Sequence, residues 1–377
     1  MYTTSSIAFG SPGRYIQGPG ELYRLPCHSL ALGSRAFAII DEFFFEKLTR
    51  ELTEIYKKQD AVFSGILYSG EITKSQIDEK TSAARESAAE VIIGIGGGKT
   101  LDTAKAVASR LGLPLIIAPT SASTDAPTSA MSILYNDAHE HSDVYYYVKN
   151  PDLVLADSQI IADAPARFLV SGMGDAIATV FEARASCRTG SPNYINQDSG
   201  PYRGTRTASA IAELCFQTIL ENGRTAKIAN EQHVITESLE AVIEANILMS
   251  GLGFENVGCS AAHAVHNGLS ACPDGNRALH GEKVAFGVLC QLAAENAPQK
   301  LIRKLMKFYL DVGLPLTLED LGITPGPDTY ETIAADVLQT EWVREPMYVN
   351  EALVKASVLT AQEAGRQYKR RHSERQH

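Results

Sequence analysis

Three residues between positions 175 and 280 have the types and spacing of a metal centre. His263 lies 17 residues before His280, and Asp175 ends the segment GMGD. One carboxylate and two imidazoles can bind Zn²⁺ or Fe²⁺ and leave a coordination position open for a substrate. Each histidine alone could be a hydrogen-bonded core residue, but together the side chains favour a metal site of Asp175, His263 and His280.

A fourth residue, His266, stands three positions after His263, so a helix would present both imidazoles on one face. His266 is therefore a candidate catalytic residue, either as the hydrogen-bonding partner of a metal ligand or as a proton carrier. We interpret the segment GMGD as placing the Asp175 carboxylate at the start of a helix over residues 176–185.

A glycine loop in the first half could bind a pyrophosphate. Gly96, Gly97 and Gly98 follow an apolar strand candidate over residues 91–95, and Lys99 comes next. Glycines let the backbone approach phosphates closely, and a helix that begins here would offer free N–H groups. The loop is neither a G-x-G-x-x-G motif nor a P-loop, so a plain strand-to-helix turn is the alternative.

An acidic residue, Asp41, follows the apolar strand candidate over residues 35–40. A carboxylate at a strand end can bind both hydroxyls of a ribose and would repel a 2′-phosphate. Asp41 would then favour NAD over NADP. The alternative is a solvated loop carboxylate.

A polar loop over residues 120–129 is rich in hydroxyl groups and includes the carboxylate of Asp125. It could simply cap a helix. At the carboxyl end of a buried strand it could instead contact a ribose, a nicotinamide and a substrate, because ligands of open α/β sheets bind at those ends.

Alternating strands and helices must position these loops, and this alternation predicts a mostly parallel sheet. The strand candidates are residues 35–40, 61–68, 91–95, 115–118 and 153–156, with a hairpin of residues 131–135 and 144–148. Beyond Asp163 the pattern becomes helical throughout. We therefore predict an α/β dinucleotide-binding domain over residues 1–163 and an all-α, metal-binding domain over residues 164–377.

The clearest helix candidates of the second half are residues 213–221, 237–250, 259–269, 282–296 and 351–368. Asn350 is a plausible N-cap for the last of these helices, because its side chain can accept a hydrogen bond from a free backbone N–H.

Composition excludes several classes of protein. A net charge of −10 disfavours nucleic acid as a partner. No run of 18 apolar residues predicts a membrane-spanning helix, and the N-terminus has no signal-peptide pattern. Six cysteines without CxxC spacing predict reduced thiols in a cytoplasmic protein.

Five segments in this order resemble the glycerol dehydrogenases of the metal-dependent (iron-containing) alcohol dehydrogenase superfamily: GIGGGKTLDTAKA, APTSASTDAPTSA, GMGDAIAT, AAHAVHNGL and HGEKVAFG. The resemblance extends over residues 11–368. It implies a dehydroquinate synthase-like architecture with the active site between the two domains. It also implies reversible, NAD-dependent oxidation of glycerol to dihydroxyacetone, activity on other small vicinal diols, and a homo-oligomer, with an octamer as one expected form.

The resemblance also implies roles for individual residues. Zn²⁺ would be held by Asp175, His263 and His280, which would also contact the substrate, and Asp125 would be a catalytic substrate contact. The implied NAD contacts are Asp41, Gly98, Lys99, Thr120, Ser123, Ser129, Met131 and Tyr135.

The chain departs from the wider superfamily at one position. Iron-dependent members carry another histidine ligand one helical turn after the aspartate, where this chain has Thr179. Zinc is therefore expected rather than iron. The loop over residues 191–204 is also longer than expected for the family.

Three alternatives remain from the sequence. A glycerol-1-phosphate dehydrogenase would prefer a phosphorylated substrate. A dehydroquinate synthase-like cyclase would need more cationic residues near the metal motifs than this sequence shows. A non-catalytic NAD-binding protein would have no chemical need for three metal ligands.

Overall fold

The computed structural model describes residues 4–135, 141–195, 199–337 and 344–374. Within these ranges the strands are β1 (Tyr15–Gly18), β2 (Arg35–Asp41), β3 (Val62–Tyr68), β4 (Val91–Gly96), β5 (Leu115–Pro119), β6 (Met131–Tyr135), β7 (His141–Tyr146) and β8 (Leu153–Asp157). The helices among them are α1 (Leu25–Ser29), α2 (Phe45–Lys57), α3 (Lys74–Glu86), α4 (Gly98–Leu111) and α5 (Ser158–Asp163).

Six of these strands form one parallel sheet in the order β1-β8-β5-β4-β2-β3, which confirms the predicted sheet. The chain passes outward from β2 to β3 and in the opposite direction from β4 to β5. The sheet therefore has a switch point between β2 and β4, where open α/β sheets bind ligands. Asp41 ends β2 and Gly96 ends β4, so the two predicted cofactor residues meet at this point.

The sequence misplaced some elements of this half. β1 was missed because YIQG is half-buried and lacks an apolar run. The hairpin is present as the antiparallel pair β6 and β7, but β7 begins three residues earlier than predicted. Its predicted loop lies mainly in residues 136–140, which are outside the described residues.

The remaining helices are α6 (Ala166–Thr189), α7 (Arg206–Glu231), α8 (Glu237–Glu244), α9 (Ser250–Val257), α10 (Ala261–Ser270), α11 (His280–Ala294), α12 (Gln299–Val312), α13 (Pro327–Val337) and α14 (Glu351–Ser373). The described part of the second half holds helices and isolated bridges but no strand, which confirms the all-α prediction. Asn350 caps α14 by accepting a hydrogen bond from the Leu353 N–H at 2.9 Å. None of the described helices has the length and apolar character needed to cross a bilayer.

The prediction that Asp175 begins a helix is wrong, because Asp175 lies in the middle of α6. The neighbouring glycines allow close packing rather than ending a helix. A Cβ on Gly172 would stand 1.9 Å from the carbonyl oxygen of Ala122. A Cβ on Gly174 would stand 2.3 Å from the carbonyl oxygen of Gly281, at the contact of α6 with α11.

The predicted single helix over residues 237–250 also needs correction. α8 leads into a π-helical turn, Ala245–Met249, and α9 follows directly. π turns inside helices are frequent at functional sites. This one faces the polar loop that follows β5, as described below.

Candidate active site and metal centre

The structure brings Asp175, His263 and His280 together from three helices, α6, α10 and α11. One carboxylate oxygen, Oδ1 of Asp175, lies 3.3 Å from Nε2 of His263 and 3.2 Å from Nε2 of His280. The three donor atoms all lie within 4.8 Å of one another. Asp175 is 1% exposed, whereas the side chains of His263 and His280 are 15% and 34% exposed, so the donor atoms meet at the edge of the core.

Hydrogen bonds on the far side of each imidazole decide which nitrogen is free. Nδ1 of His263 lies 2.7 Å from Oε2 of Glu182. Because a carboxylate accepts, Nδ1 carries the proton and Nε2 keeps its lone pair. Nδ1 of His280 lies 3.0 Å from Nε2 of His266, which can accept in the same way. Both free Nε2 atoms then face Asp175, which is the donor set that a tetrahedral zinc site requires.

The position of His266 supports one of its two predicted roles. Its Nδ1 lies 3.1 Å from Oδ1 of Asn267, and its Nε2 contacts His280. Oδ1 of Asn267 can thus accept a hydrogen bond from Nδ1 of His266, and Nε2 of His266 can in turn accept one from Nδ1 of His280. This arrangement favours a partner that orients His280, and the catalytic role of His266 stays a prediction.

Glu182 was not identified from the sequence, although it completes the surroundings of His263. Its Oε1 accepts the backbone N–H groups of Ser260 at 2.8 Å and His263 at 3.0 Å, and its Oε2 accepts the ring N–H. Glu182 stands seven residues after Asp175, two turns along the same face of α6. That spacing was the available signal, but a lone glutamate in a helix carries little chemical information.

We expect Glu182→Gln to weaken the affinity of the protein for zinc about 10- to 100-fold, the usual cost of losing a carboxylate partner of a histidine ligand. The amide removes the negative charge that fixes the Nδ1–H form of His263. Zinc affinity can be measured by competition with a chromogenic chelator. Glu213→Gln is a matched control, because Glu213 pairs with Arg184 at the surface. Equal zinc affinity in the two variants would contradict the assignment.

The charges of the centre depend on one another. Burial alone would raise the pKa of Asp175, but the imidazoles of His280 and His263 hold it well below its usual range. Burial would lower the pKa of His263, but Cys259, Glu182 and Asp175 outweigh this effect and raise it. A cation is therefore favoured among these side chains, whether it is a proton or a metal ion.

Asp125 lies beside this centre. Its backbone N–H donates to Oδ2 of Asp175 at 3.4 Å, and its own carboxylate accepts a hydrogen bond from Ser250 at 2.7 Å. Burial, followed by the charge of Asp175, raises the pKa of Asp125 well above its ordinary value. The predicted substrate residue and the predicted metal residues thus share one site, in which the two carboxylates are buried and the two imidazoles are partly exposed.

The glycine loop offers the features expected of a phosphate site. Gly97 is the N-cap of α4 and provides no side-chain cap, and a Cβ at this residue would meet nothing within 4 Å. The N-terminus of α4 thus has no side-chain cap and borders open space at Gly97, which are two features that binding of a pyrophosphate requires. A Cβ on Gly96, which has a φ of 156°, would stand 2.9 Å from Cβ of Asp41. The predicted ribose and pyrophosphate residues are accordingly adjacent.

Four other residues predicted to contact NAD differ in their exposure and in their hydrogen-bond partners. Lys99 is half-exposed and pairs with Glu71 at 2.5 Å. Thr120 donates its backbone N–H to the carbonyl of Gly96 at 3.1 Å. The Ser123 hydroxyl lies 3.1 Å from the hydroxyl of Ser121. Tyr135 is partly buried, and its backbone N–H donates to Ile72 at 2.9 Å.

Ser129 and Met131 contact a buried lysine that sequence reasoning did not identify. Nζ of Lys105 donates to the Ser129 hydroxyl and the Met131 carbonyl, both at 3.1 Å, and to the Ala126 carbonyl at 2.6 Å. It also pairs with Asp102 at 3.0 Å. Lys105 therefore ties α4 to the loop after β5, and the Ser129 hydroxyl is held inside the protein.

Comparisons with known proteins agree with this architecture. The family model described as iron-containing alcohol dehydrogenase matches residues 12–158. A crystal structure of a probable glycerol dehydrogenase from Sinorhizobium meliloti 1021 superposes with a TM-score of 0.89 at 38% identity. This alignment covers 96% of this chain and 99% of that structure.

Two relatives are similar over most of their length. A glycerol dehydrogenase from Escherichia coli O6:H1 is 46% identical over 83% of this chain and 84% of that protein. A glycolaldehyde reductase from Halobacterium salinarum is 39% identical over 96% of this chain and 99% of that protein. Such identities over such lengths, together with the shared fold, show that the chain belongs to the iron-containing alcohol dehydrogenase family.

Proposed function

We propose that the chain is a zinc- and NAD-dependent dehydrogenase that interconverts glycerol and dihydroxyacetone and accepts other small vicinal diols. The observation that carries this proposal is the convergence of Asp175 Oδ1 with the free Nε2 atoms of His263 and His280. The backbone N–H of Asp125 contacts Asp175, and the loops that carry Asp125 and the three glycines follow β5 and β4, which are neighbouring parallel strands that end at the same edge of the sheet. The similarity to glycerol dehydrogenases supports the choice of glycerol.

Each part of the site would serve this reaction. Bound Zn²⁺ would supply a Lewis acid for the alcohol oxygen, and bound NAD⁺ would accept the hydride. Asp175, His263 and His280 would hold the ion. Asp125 would accept a hydrogen bond from a substrate hydroxyl. Because Asp125 and Asp175 are buried, their interactions with a substrate would be stronger than in water.

The surroundings of Thr179 support zinc rather than iron. Its hydroxyl lies 3.1 Å from that of Ser250, and a Cβ on Gly253 would stand 2.3 Å from its Cγ2. An imidazole at this position would have to displace α9, so a fourth protein ligand on this face of α6 is disfavoured.

We expect Asp41→Ala to shift cofactor preference toward NADP⁺. Removing a carboxylate near the 2′ position removes its repulsion of a 2′-phosphate, and about 1.4 kcal/mol of repulsion corresponds to a tenfold change in the ratio of kcat/KM values. Steady-state kinetics with NAD⁺ and NADP⁺ check this. Glu42→Ala, one residue along, is the control. An unchanged ratio in Asp41→Ala would place the ribose elsewhere.

A second candidate is glycolaldehyde reduction, which is favoured by the relative that aligns over 96% of this chain. Reduction of glycolaldehyde gives ethylene glycol, which is itself a vicinal diol, so the same site could hold it. The two candidates differ in the carbon that reacts, which is secondary in glycerol and primary in ethylene glycol.

A substrate panel tests the proposal. NADH formation would be measured with glycerol, 1,2-propanediol, 2,3-butanediol, ethylene glycol and glycerol 1-phosphate, together with NADH oxidation by glycolaldehyde. We expect the highest kcat/KM with glycerol. A higher value with ethylene glycol and glycolaldehyde would favour the second candidate. A strong preference for glycerol 1-phosphate would overturn both.

Two further parts of the proposal concern organisation. We propose that residues 1–163 and 164–377 act as cofactor-binding and metal-binding units, with the substrate between them. We also propose a homo-oligomer in solution, up to an octamer. Light scattering on purified protein measures the latter directly, and a monomeric mass would contradict it.

A further inference from the structure

In the helical half of the chain, one segment formed by α8, the π turn and α9 makes hydrogen bonds to the loop over residues 120–130. Nδ2 of Asn246 donates to the carbonyl of Ala122 at 2.9 Å. Oε1 of Glu255 accepts the N–H of Ala130 at 2.8 Å. Between these two points, the loop meets this segment at Ser250, the first residue of α9 after the π turn.

Ser250 connects two residues of the site. Its hydroxyl donates to Oδ2 of Asp125 at 2.7 Å and lies 3.1 Å from the hydroxyl of Thr179. Because the Asp125 carboxylate accepts from Ser250, the Ser250 oxygen is free to accept from Thr179. Ser250 is fully buried, and Thr179 is 2% exposed. The three groups thus form a hydrogen-bonded row, Thr179 to Ser250 to Asp125, shielded from water.

This row fixes one oxygen of Asp125 and leaves the other available. Oδ2 is held by Ser250, whereas Oδ1 accepts no hydrogen bond from another of the described residues. A carboxylate held in this way has a single orientation, so its free oxygen keeps a fixed direction. Gly253 leaves room for the Thr179 methyl group, which in turn fixes the Thr179 hydroxyl.

We propose that Ser250 and Thr179 are positioning residues that aim Asp125 at a hydroxyl of the substrate and thereby set the affinity for vicinal diols. This inference rests on the proposed diol dehydrogenase function. Thr179 would act only through Ser250, because it touches Ser250 and not Asp125.

Four variants test this order of action. We expect Ser250→Ala to raise KM for glycerol about tenfold, the usual effect of losing a hydrogen bond to a charged group. Thr179→Val should raise KM about threefold, and Thr179→Ser, which keeps the hydroxyl, should restore a KM near that of the wild type. The double variant with Thr179→Val and Ser250→Ala should have the same KM for glycerol as Ser250→Ala alone, because Thr179 acts only through Ser250. The dissociation constant for NADH and the zinc content should be unchanged throughout.

The outcomes separate this inference from the proposed function. If the wild type oxidises glycerol but Thr179→Val and Thr179→Ser have the same KM for glycerol, the positioning role is wrong and the proposed function stands. Additive effects in the double variant would also overturn it. If Ser250→Ala does not fold, the comparison of Thr179→Val with Thr179→Ser decides the question. If the wild type oxidises no diol, the proposed function itself fails.

Discussion

His263→Ala is expected to lose bound zinc and to reduce glycerol oxidation on the order of a thousandfold, while binding NADH as the wild type does. The three donor atoms of the centre lie within 4.8 Å of one another, and removing one imidazole leaves two protein ligands. Metal catalysis of this kind contributes several kcal/mol, and about 4 kcal/mol corresponds to a thousandfold change in rate. Elemental analysis, NADH fluorescence titration and steady-state kinetics measure the three quantities.

His28→Ala serves as the control for this variant. His28 lies in the first half of the chain, in α1, and pairs with Glu21 at 3.3 Å. It should keep its zinc and turnover. A His263→Ala protein that holds one zinc per chain and turns over glycerol normally would remove His263 from the site.

Gly281→Ala is expected to lower both the free energy of unfolding and the affinity for zinc. A Cβ at this position would stand 1.8 Å from the carbonyl oxygen of Ser171 and 3.0 Å from the backbone nitrogen of Asp175. Because the closest atoms belong to the backbone, α11 must move away from α6. Overpacking of this kind lowers the free energy of unfolding by about 1–3 kcal/mol. The same movement would separate His280 from Asp175.

Urea unfolding and chelator competition measure these two effects. Gly326→Ala is the control, because a Cβ at Gly326 meets no atom within 4 Å. Alanine also favours helices over glycine by about 1 kcal/mol, which opposes the effect of the clash in α11. An unchanged urea midpoint together with unchanged zinc affinity would show that the two helices tolerate the extra methyl group.

The sequence was sufficient to predict the parallel sheet and the family. Buried strands such as β4 appear as short apolar runs, and β4 has no exposed residue. The metal-ligand candidates were also recognisable, since aspartate and histidine in an apolar region are chemically distinctive. The structure places Asp175, His263 and His280 together, as that prediction requires.

Other parts of the site depend on contacts that no local pattern carries. Glu182 and Ser250 are ordinary residues for a helix, and their partners lie 81 and 125 positions away in the chain. The glycines of α6 were misinterpreted for a related reason. Gly172 resembles a helix break in sequence, but the carbonyl of Ala122 explains why the helix needs glycine there.

Metal removal tests the central claim most directly. The protein would be treated with a chelator, freed of it, and assayed for NADH formation from glycerol before and after addition of one equivalent of Zn²⁺ or Fe²⁺. We predict that activity disappears with the metal and returns with Zn²⁺, and that His263→Ala does not recover. Full activity in the metal-free protein, or recovery with Fe²⁺ alone, would contradict the proposed zinc-dependent dehydrogenase.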